Sequence, residues 1–582
     1  MSCRNRKIQK GAAAAVSLLL GLSLAGCGGS SNVENSTEAA AAVSEDELFT
    51  ERDLSGDYDE TEAVFVTLSD GSSTCDGKGV SIEENTITIT KEGVYVLTGS
   101  LTEGQIVVDA KDEKVQIVLA DAQISCTGSA AVYVKKADKV FLTLKEGTSN
   151  TLTAEGEFEE SDEGIDGAVF SKDDLTLNGS GSLTVESAYG HGIVCKDDLK
   201  ITGGSYVITA GENGLSGNDS VRTAGGTFQI TAGGKGIKSD TAVYLTGGDF
   251  TIESEDDAVH SNGTCSITGG SYGITTGDDG IHADGALVIN DGEISIAESY
   301  EGLEGQTITI NGGIITLNAS DDGLNAAGGN DSSGFGGFGQ DAFAADDDCW
   351  ILITGGSICV AADGDGIDSN GDLTVTDGEI YVSGPVSSAD GALDYNGTAT
   401  ISGGIVVAAG ASGMAQNFGE DSTQGSILVT FMTQVSGEVV LADADGNSLL
   451  SFIPEKSYNS VVISCPEIAA DGSYTVTCGT ESTTVEMDGL IYGDSGMMGG
   501  MDRGGMNRGD KNQNGMGQDG KNPGSMGQDG RNPDDMDQDG DFDPSQMGDM
   551  PQDGDFDPSQ MGDMPQDSNF DPSQKNDATK SQ

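Results

Sequence analysis

The sequence predicts an all-β chain: a right-handed parallel β-helix of about 22 residues per coil, with a small C-terminal β cap and a disordered acidic tail. Three observations predict it. An acidic box recurs, as Asp256-Asp257-Ala258-Val259-His260, Asp278-Asp279-Gly280-Ile281-His282, Tyr300-Glu301-Gly302-Leu303-Glu304 and Asp321-Asp322-Gly323-Leu324-Asn325. Between boxes, apolar residues alternate with polar ones in short runs, as at Leu287 and Ile289, then Ile294 and Ile296; that is the period of a strand. Glycine pairs such as Gly247-Gly248 and Gly269-Gly270 punctuate the runs and supply the positive φ of tight corners. Three short strands fill one period and leave no room for a helix. The right hand follows the general bias of parallel β connections.

The elements follow in chain order. Arg4, Arg6, Lys7 and Lys10 precede an apolar run from Ala12 to Leu24. That run is short for a membrane span and reads as the core of an export signal over residues 1–26. It ends in Leu24-Ala25-Gly26-Cys27, which matches the bacterial lipobox, whose cysteine is acylated and becomes the new N-terminus. Lipid on Cys27 predicts a lipoprotein held at the extracellular face of the bacterial membrane, touching the bilayer through its anchor alone. Residues 27–60, rich in Ser, Ala and Glu, read as a flexible tether.

Residues 61–425 form the predicted β-helix, and its columns can be written down in advance. Two residues past successive glycine pairs stand Tyr206, Phe228, Phe250, Tyr272, Ile294 and Ile315; two further on stand Ile208, Ile230, Ile252, Ile274, Ile296 and Leu317. Beside the box stand Ile193, Leu215, Ile237, Val259, Ile281, Leu303 and Leu324. Equivalent residues of adjacent coils lie ~4.8 Å apart, so each column becomes an inward stack contributing roughly 1.5–3 kcal/mol per buried side chain. Asn218, Asp240, Asn262, Asp284, Asn370 and Asn396 make a polar column, read as a stabilising amide ladder. The long step from Gly323 to Gly366 holds a surplus at Gly328 to Ala345, read as a loop beside Trp350. Trp350 is then either an aromatic for stacking on a ligand ring or the cap of a core column.

Residues 426–492 leave the repeat and suggest a small antiparallel β unit over the open end of the solenoid. Cys465 and Cys478 flank a turn there; they are a candidate disulfide, with free thiols the alternative. No CxxC pair is present, so zinc is not expected. Residues 493–582 are low in apolar content and repeat themselves, which predicts disorder.

Charge narrows the function. The chain holds 27 Lys and Arg against 96 Asp and Glu, a formal net charge of −69. This excludes nucleic acid, whose binding needs clustered basic residues. The acids gather at the box corner: Asp256, Asp257, Asp278, Asp279, Glu301, Asp321, Asp322, Asp363, Asp365 and Asp368. Like charges stacked ~4.8 Å apart repel by roughly 3–4 kcal/mol at an effective dielectric near 20. Divalent cations are the natural compensation, and hard oxygen ligands in an extracellular setting point to Ca²⁺; the alternative is a solvated acidic face. His260 and His282 hold one position on adjacent coils, either as ligand-binding residues or as polar filling of an outward slot.

These features resemble the bacterial carbohydrate-binding β-helix lipoproteins, which are similar in fold to pectate lyases yet bind polysaccharide without cutting it. The resemblance rests on the lipobox, the Gly-Gly units, the Asp-Asp-Gly-Ile boxes and the closing strands Val461-Val462-Ile463-Ser464 and Tyr474-Thr475-Val476. It covers about residues 61–490. It implies calcium at acidic turns, with Asp256, Asp257, Asp278, Asp279, Asp321, Asp322, Asp363 and Asp365 the best matched, and a polysaccharide partner, cellulose or an acidic plant glycan. Two rivals stand beside it. One is a calcium-dependent lyase or polygalacturonase-like hydrolase on the same scaffold. Gly190-His191-Gly192 and Asp256-Asp257 are similar to polygalacturonase motifs, whose paired carboxylates act as acid and base. A lyase needs an Arg or Lys base near its calcium, yet Arg222 is the sole arginine of the repeats, and Lys235 and Lys238 fall on a coil without box acids. The other rival is a surface adhesin or structural wall protein with no glycan ligand.

Overall fold

The computed structural model describes Lys7–Ile8 and residues 44–159, 163–327 and 345–493. All lie in one compact unit, Met1–Arg503; a second, Gly504–Gln582, is outside the described residues. Outside them too fall the rest of the expected signal segment, Cys27, the first half of the tether, the excursion at 328–344 and the expected tail beyond 493.

The described chain is a β-solenoid of about 14 turns. A coil contributes three strands, as in Val259–Ser261, Thr264–Ile267 and Ser271–Thr276. Each pairs in parallel with its counterpart one coil on. Val259 stands beside Ile281, which stands beside Leu303, then Leu324, then Ile367. Tyr272, Ile294, Ile315 and Ile358 run likewise. The predicted columns are therefore neighbours in two of the three rows of parallel strands, the Tyr206 and Ile208 columns sharing one row.

Corners explain the glycines in two ways. The second glycine of each pair is left-handed, with φ of 112° at Gly226 and 122° at Gly248, a conformation that costs L side chains steric energy. The box glycine is different. A Cβ on Gly280 would lie 2.6 Å from the carbonyl oxygen of Gly302 on the next coil, so close backbone approach selects it.

Inside the barrel, Tyr206, Phe228, Phe250 and Tyr272 stack face to face, with centroid separations of 5.0, 4.4 and 5.1 Å. All four are buried. The pairing of Glu293–Ser299 slips on both sides, after Ile274 below and between Ile296 and Ser299. This β-bulge sets Ala297 outward as an exposed residue.

The last parallel strand, Ile405–Gly410, is covered by Tyr458–Ser464 running antiparallel, which pairs in turn with Ser426–Val435. That arrangement ends the row of open strand edges, as the C-terminal unit was expected to do. Cys465 and Cys478 are free thiols. Cys465 follows the closing strand, whereas Cys478 sits opposite Val439 in a separate antiparallel sheet, so the pairing considered from sequence does not form.

The expected tether is also shorter than residues 27–60. From Ser44 onward the chain docks along the outside of the barrel. Asp53 is fully buried there, with an oxygen 2.6 Å from the Lys139 ammonium and another bond, of 2.9 Å, from the Thr176 hydroxyl. Arg52 lies over the Phe141 ring at 4.3 Å, and Arg222 donates to the Leu48 carbonyl at 3.3 Å.

Candidate functional site

Two columns of polar side chains flank the box corner. One runs through Lys235, Asp257, Asp279, Glu301, Asp322 and Asp365, each preceding its box glycine or alanine. The other is fixed by strand register: His260, His282, Glu304, Asn325, Asp368 and Asp394 are successive neighbours. The alignment expected for Asp257, Asp279, Glu301 and Asp322 is present and takes the form of a ladder. The Asp257 carboxylate accepts the backbone N–H of Asp279 at 3.1 Å, and Asp279 accepts that of Glu301 at 3.0 Å. Asp322 accepts that of Asp365 at 2.6 Å.

The first half of the corner carries its own cations. The Lys235 ammonium lies 2.8 Å from Asp256 and 2.6 Å from Asp257. Lys235 occupies the coil before Asp257, in the very column of the acids, so a coil without box acids of its own supplies the counter-charge. His260 bonds Asp257 at 2.8 Å through Nδ1 and Asn262 at 2.8 Å through Nε2. Burial opposes the Asp257 charge, but His260 and Lys235 outweigh it and hold the carboxyl down at about 2. His282 is only 3% exposed. Its Nδ1 lies 3.1 Å from Asp279 and 2.7 Å from Glu304, and its Nε2 lies 3.1 Å from Asp284. Burial disfavours its charge, yet the two carboxylates push its pKa up to about 11. His260 and His282 are thus internal partners of the acids, and the two groups Asp257, His260, His282 and Asp279, His282, Glu304 each bring their ligand atoms within 4.8 Å of one another.

Glu301 marks the change. Burial, reinforced by Glu304 and Asp279, pushes it up to about 9, and Asn325 donates to it at 2.8 Å. Beyond it the compensation stops. Asp322, Asp365 and Asp368 bring a carboxylate oxygen each within 4.8 Å of one another. Among the described residues no Lys, Arg or His forms an ion pair with them. Burial and repulsion from neighbouring acids push Asp322 up to about 7, Asp365 to about 9, and Asp368 well above the carboxylate range. All three remain half-buried, within reach of solvent. Asn325, beside Asp368 in the sheet, is buried and its Oδ1 receives no hydrogen bond. The donor set is all oxygen, anionic and short of positive charge, which fits a hard divalent cation.

The remaining expected residues scatter. Asp363 is exposed and paired with Lys456 at 2.6 Å. Asp278 joins Asp256 and Asp257 in a second carboxylate group of the same spacing. Asp321 is half-buried next to Asp322. Trp350 starts the strand Trp350–Ile353 between Thr307 and Asp372, partly exposed. His191 accepts the Asn213 N–H on Nδ1 at 3.0 Å and meets Glu212 through Nε2 at 3.0 Å; burial lowers its pKa, so it is a neutral corner residue.

Comparison with known proteins now bears on this arrangement. A carbohydrate-binding domain-containing protein from Acetivibrio thermocellus is 36% identical over 201 residues, which are 34% of this chain and 64% of that relative. The chain therefore spans somewhat under two thirds of the relative's length. A solved structure described as the polysaccharide lyase-like protein from C. thermocellum, a gadolinium derivative, has 34% identity, covers 40% of this chain and all of its own, and superposes with a TM-score of 0.39. A family model matches residues 83–334 and 279–494, nearly the whole described solenoid and its cap. With that span matched, the chain belongs to the family of carbohydrate-binding domain-containing proteins.

Proposed function

We propose that this chain is a lipid-anchored cell-surface protein that binds polysaccharide along its β-helix without cleaving it, with calcium seated at Asp322, Asp365 and Asp368. The observation that carries the polysaccharide is the family match across residues 83–334 and 279–494. Cellulose and pectin-like chains are the expected glycans. The lipobox ending at Cys27 supports the anchor and an extracellular position.

Calcium is supported by the uncompensated half of the corner. A divalent ion there would neutralise three carboxylates, offer the buried Asn325 oxygen a partner, and tie one coil to the next. Bound in a site open to solvent, it would also attract an acidic glycan that the bare chain repels. Asp256, Asp257, Asp278 and Asp279 need the ion less, because Lys235, His260 and His282 already stand among them.

Binding without cleavage is favoured by burial. Glu301 and Glu304 are adjacent acids with raised pKa, about 9 and about 7, the electronic profile of an acid–base pair. They are 6% and 3% exposed, too deep to reach a glycosidic oxygen.

The test is to incubate the purified chain with cellulose, pectin and polygalacturonate, in calcium and in chelator. Co-sedimentation without release of reducing or unsaturated ends is expected, weakened by chelator for polygalacturonate. Released ends would establish an enzyme, and failure to sediment with any of them would leave the adhesin.

A further inference from the structure

The outer face of one sheet carries a feature the acidic corner does not use. Val207, Gln229, Thr251, Gly273, Ser295 and Thr316 are successive neighbours on strands that alternate inward and outward. The column shrinks to Gly273 and Ser295, leaving a shallow trough. It runs into a cavity of about 320 Å³, where coils of the solenoid meet the segment Phe452 to Glu455 of the C-terminal unit. That volume lies at the low end for small-molecule sites, roughly 300–1,000 Å³.

The cavity is held open by specific contacts. The Ser383 hydroxyl accepts the backbone N–H groups of Glu455 and Lys456, at 2.8 and 2.9 Å. Lys456 reaches back to Asp363 at 2.6 Å. These bonds pin the wall segment to the coils, so the space does not depend on a ligand. Its rear is aromatic: the Tyr381 and Phe452 rings lie 5.1 Å apart at 38°. Ile453, 40% exposed, forms an apolar lip. The floor is polar, with Thr316 and Asn318, whose amide donates to the Ala297 carbonyl at 3.2 Å. Ala297 belongs to the bulge, which breaks the ladder at the cavity mouth; bulges cluster beside binding sites because they re-aim backbone groups.

We infer that this cavity is a binding slot for one or two residues of a neutral polysaccharide, with the rest of the glycan lying along the trough. The inference rests on the carbohydrate-binding reading above and adds the place and the sugar class. A pyranose has apolar C–H faces and a hydroxyl rim, which match an apolar wall over a hydroxyl- and amide-bearing floor. Among the described residues the sole charged side chain lining the slot is Glu455, so the anionic sugars of pectin are disfavoured here.

Isothermal titration calorimetry with cellohexaose and hexagalacturonate, in calcium, tests this. Ala297→Trp places an indole over the mouth from an exposed position, and Ile453→Asp puts charge on the lip. The wild-type chain binds cellohexaose more tightly than hexagalacturonate, and each variant weakens cellohexaose at least tenfold while keeping the wild-type circular dichroism. If the wild type binds and both folded variants bind equally well, the slot is wrong and the carbohydrate reading stands. Tighter binding of hexagalacturonate overturns the neutral-sugar assignment. Absence of binding to any oligosaccharide or polysaccharide removes both readings together.

Discussion

The Asp279 carboxylate accepts the backbone N–H of Glu301, one coil away, at 3.0 Å. The acid column is thereby a structural ladder as well as a charge problem, because each rung satisfies a backbone donor that the corner leaves unpaired. Asp279→Ala strands that buried N–H, at about 1–3 kcal/mol beyond the loss of the His282 ion pair, which Asp279→Asn shares. Asp279→Asn keeps an acceptor in place and costs less. Urea unfolding of the two variants distinguishes them, and equal losses would show that the ladder bond contributes nothing.

His282 is the cation of the middle corner, pushed up to about 11 by Asp279 and Glu304 despite its burial. Its folded pKa exceeds the unfolded value of about 6.5, so its stabilisation is complete below about pH 6.5 and is lost as pH rises toward 11. His282→Gln strands two buried carboxylates, at about 3–5 kcal/mol for a broken buried pair. Nitrogen NMR of the imidazole should report a charged ring near pH 9; a neutral ring near pH 8 would refute the ion-pair assignment.

The acid trio has the same direction of dependence, in a lower pH window. Asp322 at about 7, Asp365 at about 9 and Asp368 well above the carboxylate range all titrate above the unfolded chain. The native state then holds protons that the unfolded chain releases, so without calcium stability falls as pH rises from about 4 toward about 9. Asp365→Asn should raise the melting temperature in chelator near pH 8 by a few degrees, since it removes the cost of holding a proton that the unfolded chain releases. Scanning calorimetry checks the sign, and a melting temperature insensitive to pH over this range would exclude it.

Phe250 lies between Phe228 and Tyr272, at 4.4 and 5.1 Å. Phe250→Ala opens a hole in the stack and should cost about 3–5 kcal/mol, with Phe250→Leu costing less. Guanidinium unfolding measures both. A neutral alanine variant would mean that the aromatic column does not pack the barrel.

Much of this was legible from the chain because a repeat turns register into sequence. Tyr206, Phe228, Phe250 and Tyr272 share one offset from their glycine pairs, so their stacking needed no structure. Lys235 holds the offset of Asp257, and its role is set by the acids one coil on, not by those of its own coil. Asp53 left no such signal. It lies outside the repeat, and its partners Lys139 and Thr176 are set by how the strap crosses the barrel. The side-chain link from Asn311 to Asn290 and Thr354, at 2.8 and 2.7 Å, occupies a second corner that the box pattern does not reveal. The slot at Tyr381 and Phe452 was hidden for a related reason, since it joins the repeat to a segment that has none.

Calcium titration calorimetry on the wild-type chain and on Asp365→Asn, Asp368→Asn and Asp257→Asn tests the central claim, that stacked coils concentrate negative charge which Lys235 and His282 cancel only on one half. Saturable calcium uptake is predicted, abolished by either of the first two substitutions and retained by the third. Uptake that is absent, or lost equally with Asp257→Asn, would contradict it.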